Sequence, residues 1–186
     1  MNKEINSALE VLKAGGLILY PTDTVWAIGC DASNAEAIDR VFALKKRDKS
    51  KPLTCLVSDD RMLKKYVKHV PASALNIIEI TDKPTTIIYD EAQHLPLNLN
   101  AKDGTIAIRI PDDDFCYWLT RKLNGALVST SANISDQPTP KSFKEISPEV
   151  LKGVDYVVNL QHDKICSKPS SIIKLGNNGI VKIIRA

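Results

Sequence analysis

Small polar side chains concentrate directly after an apolar run in the stretch ALVSTSANISDQPTP, residues 126–140. The four polar residues at positions 129–133 are Ser129, Thr130, Ser131 and Asn133. A turn needs one or two such side chains, so this number indicates that a strand end meets something polar. Hydroxyl and amide groups can hydrogen-bond a ribose, a phosphate oxygen or an amino-acid carboxylate without carrying a charge. The stretch therefore predicts one wall of a ligand site.

A second candidate is the basic loop LKKRDKSKP, residues 44–52. Its cations are Lys45, Lys46, Arg47, Lys49 and Lys51. Arginine offers a planar fork to phosphate oxygens and lysine offers a point charge, so the loop could bind a polyphosphate. The alternative is a solvated helix end, where cations offset the helix macrodipole. Neither GxxxxGK[ST] nor GxGxxG occurs in the sequence, so a nucleotide would have to be held by this loop.

Two further stretches place polar groups beside strands. In GTIAIRIP, residues 104–111, alternation turns the isoleucines towards the core and turns Thr105 and Arg109 to the other face. A hydroxyl and a guanidinium on one face would seat a carboxylate or a phosphate, and the alternative is an arginine that faces solvent. In YPTDTVWAIGCDA, residues 20–32, two threonines flank Asp23 and either build a local turn or line a site.

The composition excludes several classes of protein. The apolar fraction of 44% is normal for a globular chain, and the net charge of +3 neither demands nor excludes a nucleic-acid partner. The four cysteines and three histidines are scattered, which argues against a zinc site and a disulfide scaffold. No apolar run approaches the roughly 18 residues of a membrane span, and no signal peptide is recognisable. We therefore expect a soluble cytoplasmic protein with no membrane partner.

Hydrophobic periodicity and turn residues predict the elements that position these stretches. Helices are expected over 3–14, from the N-cap Asn34 to 44, after the N-cap Ser58, within 71–80, over 112–123 and near 141–152. Strands are expected over 17–20, 53–57, 85–89, 105–110, 126–129, 156–159, 170–175 and 180–185. The sequence Asn177-Asn178-Gly179 between the last two strands indicates a hairpin. Each candidate stretch thus borders the end of a predicted element.

The order of these elements predicts the fold class. Strands and helices interleave without a strict βαβ rhythm, and three strands crowd the C-terminus. We expect one α/β (or α+β) domain over residues 1–186, in which helices flank a twisted mixed β-sheet. The sequence contains no internal repeat, low-complexity segment or interdomain linker.

Taken together and in order, the motifs resemble those of the TsaC/YrdC family of L-threonylcarbamoyladenylate synthases. They are YPTDTVWAIGCDA, KKRDKSKPL, GTIAIRIP, STSAN and KPSSIIKL with a terminal IIR. The resemblance implies a YrdC-like fold with a basic concave cavity. It also implies that L-threonine, bicarbonate (or CO2) and ATP are converted to threonylcarbamoyl-AMP and pyrophosphate. Mg²⁺ would accompany the ATP.

The product of this family feeds the N6-threonylcarbamoyladenosine modification of tRNA. The resemblance therefore implies tRNA or double-stranded RNA and tRNA-modification proteins as partners, in addition to the three substrates. Nucleotidyl transfer needs alignment and stabilisation of charge on phosphate oxygens rather than a protein nucleophile. No Cys-His or Ser-His nucleophile pair is recognisable in the sequence.

The same resemblance assigns roles to residues of this sequence. It implies catalytic roles for Lys45 and Arg47. For ATP it implies Arg47, Lys51, Thr105, Ser131, Asn133, Thr139 and Arg185. For threonine it implies Thr24, Arg109, Ser129 and Ser170. It implies no metal site built by the protein alone.

Three departures from the family pattern leave an alternative open. Trp26 stands where the family usually has tyrosine, and Asp136 stands where a glycine commonly follows the SAN turn. The stretch DKPTT, residues 82–86, lacks the usual PGP-type turn. The alternative is a non-catalytic YrdC-like paralogue whose basic cavity binds RNA or a nucleotide. A third interpretation is another carbamoyl-adenylate enzyme, of the type found within larger hydrogenase-maturation proteins.

Overall fold

Helices and short strands alternate along the chain in a computed structural model that describes residues 1–166 and 168–186. The strands are β1 (Ile18–Tyr20), β2 (Ala27–Gly29), β3 (Thr54–Leu56), β4 (Thr85–Tyr89), β5 (Ile106–Arg109), β6 (Leu127–Ser131), β7 (Tyr156–Val157), β8 (Ser171–Leu175) and β9 (Val181–Arg185). The helices are α1 (Asn2–Lys13), α2 (Ala35–Lys45), α3 (Asp60–Tyr66), α4 (Ala72–Ile80), α5 (Asp114–Leu123) and α6 (Pro148–Gly153), with a 3-10 turn at Phe143–Glu145.

The strands of the described part of the chain form one mixed sheet in the order β7-β1-β2-β6-β3-β5-β4-β8-β9. The pairs β1–β7, β3–β5 and β4–β8 are parallel, and the remaining neighbours are antiparallel. Parallel neighbours need long crossover connections, and here these contain the helices. The predicted class, a mixed sheet flanked by helices, is confirmed.

The two faces of this sheet are covered differently. On one face Ile28, Val128 and Ile108 belong to an apolar cluster that also contains Ile38 and Phe42 of α2. On the opposite face α1 and α5 cover the sheet at one end, where they form a second cluster with Tyr20 and Leu127. Alternate residues of a strand share a face, so the remainder of this second face belongs to residues such as Ser129 and Ser131. That uncovered area holds the candidate site.

Side-chain caps fix where α2, α3 and α5 begin, and Ser147 caps α6 in the same way. Asn34 accepts a hydrogen bond from the Ala37 N–H at 3.0 Å, as the sequence predicts for α2. The N-cap of α3 is Asp59, whose carboxylate accepts from Met62 N–H at 2.8 Å, and the prediction of Ser58 was wrong by one residue. Asp113 caps α5 in the same way, so this helix begins at Asp114 rather than at 112.

The remaining predicted elements differ from the structure mainly at their ends. Strand β2 was not predicted, because its residues were interpreted as part of the polar stretch 20–32. The segment 141–152 contains a 3-10 turn and the short helix α6 instead of one helix. The hairpin between β8 and β9 is confirmed, and Gly179 adopts a φ of +79° in its turn. Within the described residues, no helix is both long enough and apolar enough to span a membrane.

Candidate functional site

A cavity of about 350 Å³ lies on the part of the second sheet face that α1 and α5 leave uncovered. Strand β6 contributes Ser129 and Ser131 to it, and β5 contributes Ala107 and Arg109. Each strand provides residues two positions apart because their side chains project to the same face. The loops after β1 and before β3, together with residues of β4, β8 and β9, complete the walls.

Eight of the twelve residues assigned to substrates or catalysis from the sequence line this cavity. They are Thr24, Arg47, Arg109, Ser129, Ser131, Thr139, Ser170 and Arg185. The sequence interpretation assigns both Arg47 and Ser131 to ATP, which requires them to face a common cavity, and both residues line this one. The other four, Lys45, Lys51, Thr105 and Asn133, are not among the residues that line it.

The cavity has two chemically different ends. The first end lies where β3 begins, at the point where Thr54 of β3 faces Ser129 of β6. Arg47 and Ser131 line the cavity there, and we call this the Arg47 end. The second end lies where β3 and β5 finish, at the point where Arg109 of β5 faces Leu56 of β3. Arg109 contacts Thr24 there, and we call this the Arg109 end.

Lys45 differs from the expectation that its charge faces phosphate. The side chain is 1% exposed, and its ammonium donates to the main-chain carbonyls of Ser131 and Asn133, the latter at 2.6 Å. Burial, with a smaller contribution from nearby Arg47, lowers its pKa to about 7. Lys45 therefore supports the STSAN turn from beneath. The catalytic role that the sequence suggested for Lys45 stays a prediction.

Arg47 follows Lys45 by two residues but, unlike Lys45, lines the cavity. Lys46 ends α2 in the left-handed conformation, φ 50°, and this reverses the chain between Lys45 and Arg47. The Arg47 guanidinium is half-buried, and donates to the carbonyls of Lys51 and Pro52, each at 3.0 Å. Neither bond uses a carboxylate, so the positive charge of Arg47 stays available to an anion in the cavity.

The other lysines of the basic loop point away from the cavity and meet carboxylates at the surface. Lys46 pairs with Glu149 and Lys49 pairs with Asp39, both at 2.8 Å. Lys51 lies 3.5 Å from Asp136. The Lys51 side chain does not line the cavity, its main-chain carbonyl supports Arg47, and its contact with ATP stays a prediction.

Asn133 and Thr105 also serve the scaffold rather than the cavity. The Asn133 amide donates to the carbonyls of Ile134 and Gln137, and its oxygen accepts from the Ser131 hydroxyl at 2.6 Å. Thr105 precedes β5, and its hydroxyl donates to Asp103 at 2.7 Å. Both residues were expected to contact ATP. Their hydrogen bonds hold the turns that carry Ser131 and β5 in place.

The Arg109 end contains an acidic residue that the sequence interpretation did not assign. Arg109 is 5% exposed, and its guanidinium donates to both carboxylate oxygens of Asp23, one of them at 2.6 Å. It also donates to the Thr24 hydroxyl at 3.3 Å. A buried arginine requires a partner. The two threonines beside Asp23 were the sequence signal for a constrained turn here.

Of the three departures from the family pattern, Trp26 and Asp136 lie outside the cavity lining, whereas DKPTT contributes Thr86 to it. Trp26 is fully buried and packs against Phe143 and His162, with ring centroids 5.0 and 5.5 Å away. Trp26 does not line the cavity. Asp136 adopts a φ of +65°, which explains why a glycine would fit this position, and DKPTT leads into β4.

The cavity provides few ligands for a metal ion. The residues that line it include no carboxylate, and the described residues contain no group of three or more His, Cys, Asp or Glu side chains that could hold a metal. Mg²⁺ prefers oxygen ligands and is commonly held by one or two carboxylates together with substrate phosphates and water. The lining residues offer a magnesium ion hydroxyl oxygens but no site of their own.

Comparisons with known proteins agree with this architecture. The family model Sua5/YciO/YrdC, described as "Telomere recombination", matches residues 10–186. A Methanocaldococcus jannaschii protein that is provisionally named threonylcarbamoyl-AMP synthase is 38% identical over 187 residues, which cover 97% of this chain and 86% of that protein. The threonylcarbamoyl-AMP synthase of Nitrosococcus oceani is 30% identical over 158 residues, which cover 84% and 85%.

A solved structure shares the fold. The chain superposes on P. abyssi Sua5 in complex with L-threonine with a TM-score of 0.82 and 23% identity, over 92% of this chain. It spans 50% of that longer protein. The family match over most of the chain and the identity to these relatives lead to one conclusion: the chain belongs to the Sua5/YciO/YrdC family.

Proposed function

We propose that this protein is a threonylcarbamoyl-AMP synthase, an enzyme of the transferase type that uses L-threonine and ATP. One observation carries the proposal: a single cavity joins an uncompensated arginine and hydroxyls at the Arg47 end to a carboxylate-paired arginine at the Arg109 end. The first arrangement suits phosphate oxygens and the second suits an amino acid. Relatives that cover most of this chain bear the same enzyme name.

The finer assignment is nucleotidyl transfer. A carbamate oxygen, formed from the threonine amine and bicarbonate or CO2, attacks the α-phosphorus of ATP, and pyrophosphate leaves. The protein's contribution to such a step is alignment and charge stabilisation. Arg47 would hold phosphate oxygens, the Ser131 hydroxyl would turn its O–H from Asn133 to a phosphate oxygen, and Arg185 would supply a second guanidinium. Thr139 would contact the nucleotide further along the wall.

The amino acid would lie at the Arg109 end. Arg109 retains N–H groups beyond those bonded to Asp23 and Thr24, since a guanidinium carries five donors. These would bind the carboxylate of L-threonine, while Thr24, Ser129 and Ser170 provide hydroxyls around it. The Asp23 carboxylate offsets the charge of Arg109, so this end accepts a molecule with no large net charge.

Magnesium would enter with ATP. Because no carboxylate lines the cavity in the described part of the chain, phosphate oxygens and water would supply most of the ligands of Mg²⁺. The bound ion would offset charge on the phosphates. Arg47 would orient phosphate oxygens from the protein side.

Partners beyond the substrates follow from the activity. The product would pass to proteins that modify tRNA, in the cytoplasm. Direct binding of tRNA or double-stranded RNA would have to use surface cations, but three exposed lysines of the basic loop already pair with carboxylates. The catalytic proposal is therefore better supported than the binding module.

The deciding experiment is a pyrophosphate-release assay on the full chain with ATP, Mg²⁺, bicarbonate and L-threonine. We expect release that requires both threonine and bicarbonate. Release independent of threonine would reject the synthase. Absence of release together with tight, salt-sensitive RNA binding would favour the non-catalytic alternative.

A further inference from the structure

Thr86 is a buried polar residue of the cavity that has no role in the function proposed above. It belongs to β4, is 1% exposed and lines the cavity together with Ile88. Its neighbours on the strand, Ile87 and Tyr89, point to the opposite face and belong to the apolar core. The Thr86 hydroxyl lies 2.8 Å from the Ser170 hydroxyl, and either oxygen could donate.

The strand register places Thr86 beside Arg109. In the antiparallel pair of β4 and β5, Ile87 faces Ile108, so one step further Thr86 faces Arg109. In the parallel pair of β4 and β8, Thr86 faces Ile172, which in turn faces Arg185 of β9. Side chains opposite each other on adjacent strands have Cβ atoms about 4.5–5.5 Å apart. The Thr86 side chain therefore stands next to the Arg109 side chain on the cavity face.

The main chain of Ser170 is already held in place from two sides. Arg185 donates to the Ser170 carbonyl through Nε at 3.0 Å and Nη2 at 2.6 Å. The next amide, Ser171 N–H, donates to the Pro84 carbonyl at 2.9 Å. With the backbone fixed, the remaining freedom of Ser170 is the rotation of its hydroxyl, and Thr86 is the side chain that restricts it.

We propose that Thr86 is a positioning residue, which orients Ser170 so that the two hydroxyls together recognise the side-chain hydroxyl of a β-hydroxy amino acid. The inference rests on the proposed function, because it takes the amino-acid carboxylate to be bound at Arg109. The hydroxyl of such an amino acid lies on the carbon next to Cα. A carboxylate held by Arg109 thus brings this hydroxyl next to the Thr86–Ser170 pair.

The chemistry of the pair explains selection against an isostere. Two hydroxyls that bond each other still have one donor and several acceptor positions to offer a third hydroxyl. L-Valine has the shape of L-threonine but a methyl group in place of the hydroxyl, so it would leave these buried positions unpaired. A site built around a substrate hydroxyl rejects the analogue lacking it much more strongly than an apolar pocket discriminates by size.

The test compares three variants by pyrophosphate release and by calorimetric titration with L-threonine and L-valine. Thr86→Val keeps the shape and removes the hydroxyl, and Thr86→Ser keeps the hydroxyl. Thr85→Val is the matched control, since the Thr85 hydroxyl lies outside the cavity and bonds the Lys83 carbonyl at 2.9 Å. For Thr86→Val we expect KM and Kd for L-threonine to rise about tenfold, as for loss of one hydrogen bond, with kcat little changed.

The preference for threonine over valine should fall in Thr86→Val, and Thr86→Ser should restore most of it. An unchanged threonine affinity in Thr86→Val, or equal behaviour of Thr86→Val and Thr86→Ser, would overturn the inference while the proposed function stands. If the wild-type protein neither binds L-threonine nor releases pyrophosphate with it, the proposed function fails and the inference fails with it. A melting scan of each variant shows whether a loss of binding reflects unfolding.

Discussion

The two ends of the cavity contain similar cations in different surroundings. At the Arg109 end, a guanidinium that is 5% exposed is bonded to the carboxylate of Asp23. At the Arg47 end, Arg47 and the buried Lys45 bond main-chain carbonyls and no carboxylate. Carbonyl groups satisfy the donors but leave the charge uncompensated. The Asp23–Arg109 pair is therefore close to neutral and suits an amino acid, while Arg47 keeps a field that attracts phosphate.

This difference also separates charges that stabilise the fold from charges that are available to bind a ligand. Removing one partner of a buried ion pair leaves the other charge uncompensated in a poorly solvated place, which is costly for folding. Removing a half-buried arginine that bonds exposed carbonyls costs little stability but removes its attraction for a ligand. Mutations at the two ends should consequently be visible in different measurements.

The largest effect is expected for Asp23→Ala. The variant leaves the Arg109 guanidinium buried without its carboxylate, and breaking such a pair costs about 3–5 kcal/mol of unfolding free energy. Urea unfolding measures it. The matched control is Glu149→Ala, which breaks an exposed pair with Lys46 and should leave the midpoint nearly unchanged. Equal midpoints for the two variants would show that Asp23 is not needed to compensate Arg109.

The next effect is a loss of nucleotide affinity in Arg47→Ala. A hydrogen bond to a charged group contributes about 1.5–3 kcal/mol, so the Kd for MgATP should rise roughly 10- to 100-fold. The unfolding midpoint should move little, because Arg47 is half-buried and bonds only carbonyls of its own loop. Calorimetric titration measures the affinity.

The control for Arg47 is Lys49→Ala, in the same loop. Lys49 pairs with Asp39 away from the cavity, so its removal should leave MgATP affinity almost unchanged. If both variants weaken binding equally, the loop acts through its overall charge rather than through Arg47.

A smaller effect concerns the pH dependence of stability. The pKa of Lys45 is about 7 in the folded protein, far below its value in an unfolded chain. Between these two values the unfolded state binds more protons, so the contribution of Lys45 to stability increases as pH rises above 7. Neutralised Lys45 keeps two N–H donors, which match the carbonyls of Ser131 and Asn133.

The contribution of Lys45 is isolated when the unfolding free energies of wild type and Lys45→Met are compared at pH 7 and pH 9. Methionine has a similar length and does not titrate, so the stability difference should shift in favour of wild type by about 1 kcal/mol per pH unit. Parallel pH profiles from urea unfolding would mean that Lys45 stays protonated throughout, in conflict with its desolvation.

The sequence predicted the chemistry of the site better than the direction of its side chains. Residues on strands, such as Arg109 and Ser129, follow a period of two, so one core-facing neighbour fixes where they point. Lys45 and Arg47 flank a left-handed helix end, and no periodicity crosses such a reversal. The carboxylate on Arg109 and the hydroxyl pair of Thr86 and Ser170 depend on long-range register, which local pattern does not contain.

The smallest expected effect tests whether the Arg47 end is uncompensated. Asp136 is the nearby acid, but its side chain is 85% exposed and solvent screens it. Asp136→Asn removes this charge and still tolerates the left-handed backbone at this position. MgATP affinity should increase about twofold at low salt, and the gain should vanish at high salt, because the Debye length shrinks to about 3 Å at 1 M. A large, salt-independent gain would mean that Asp136 compensates Arg47 as Asp23 compensates Arg109, and the two ends would then be alike.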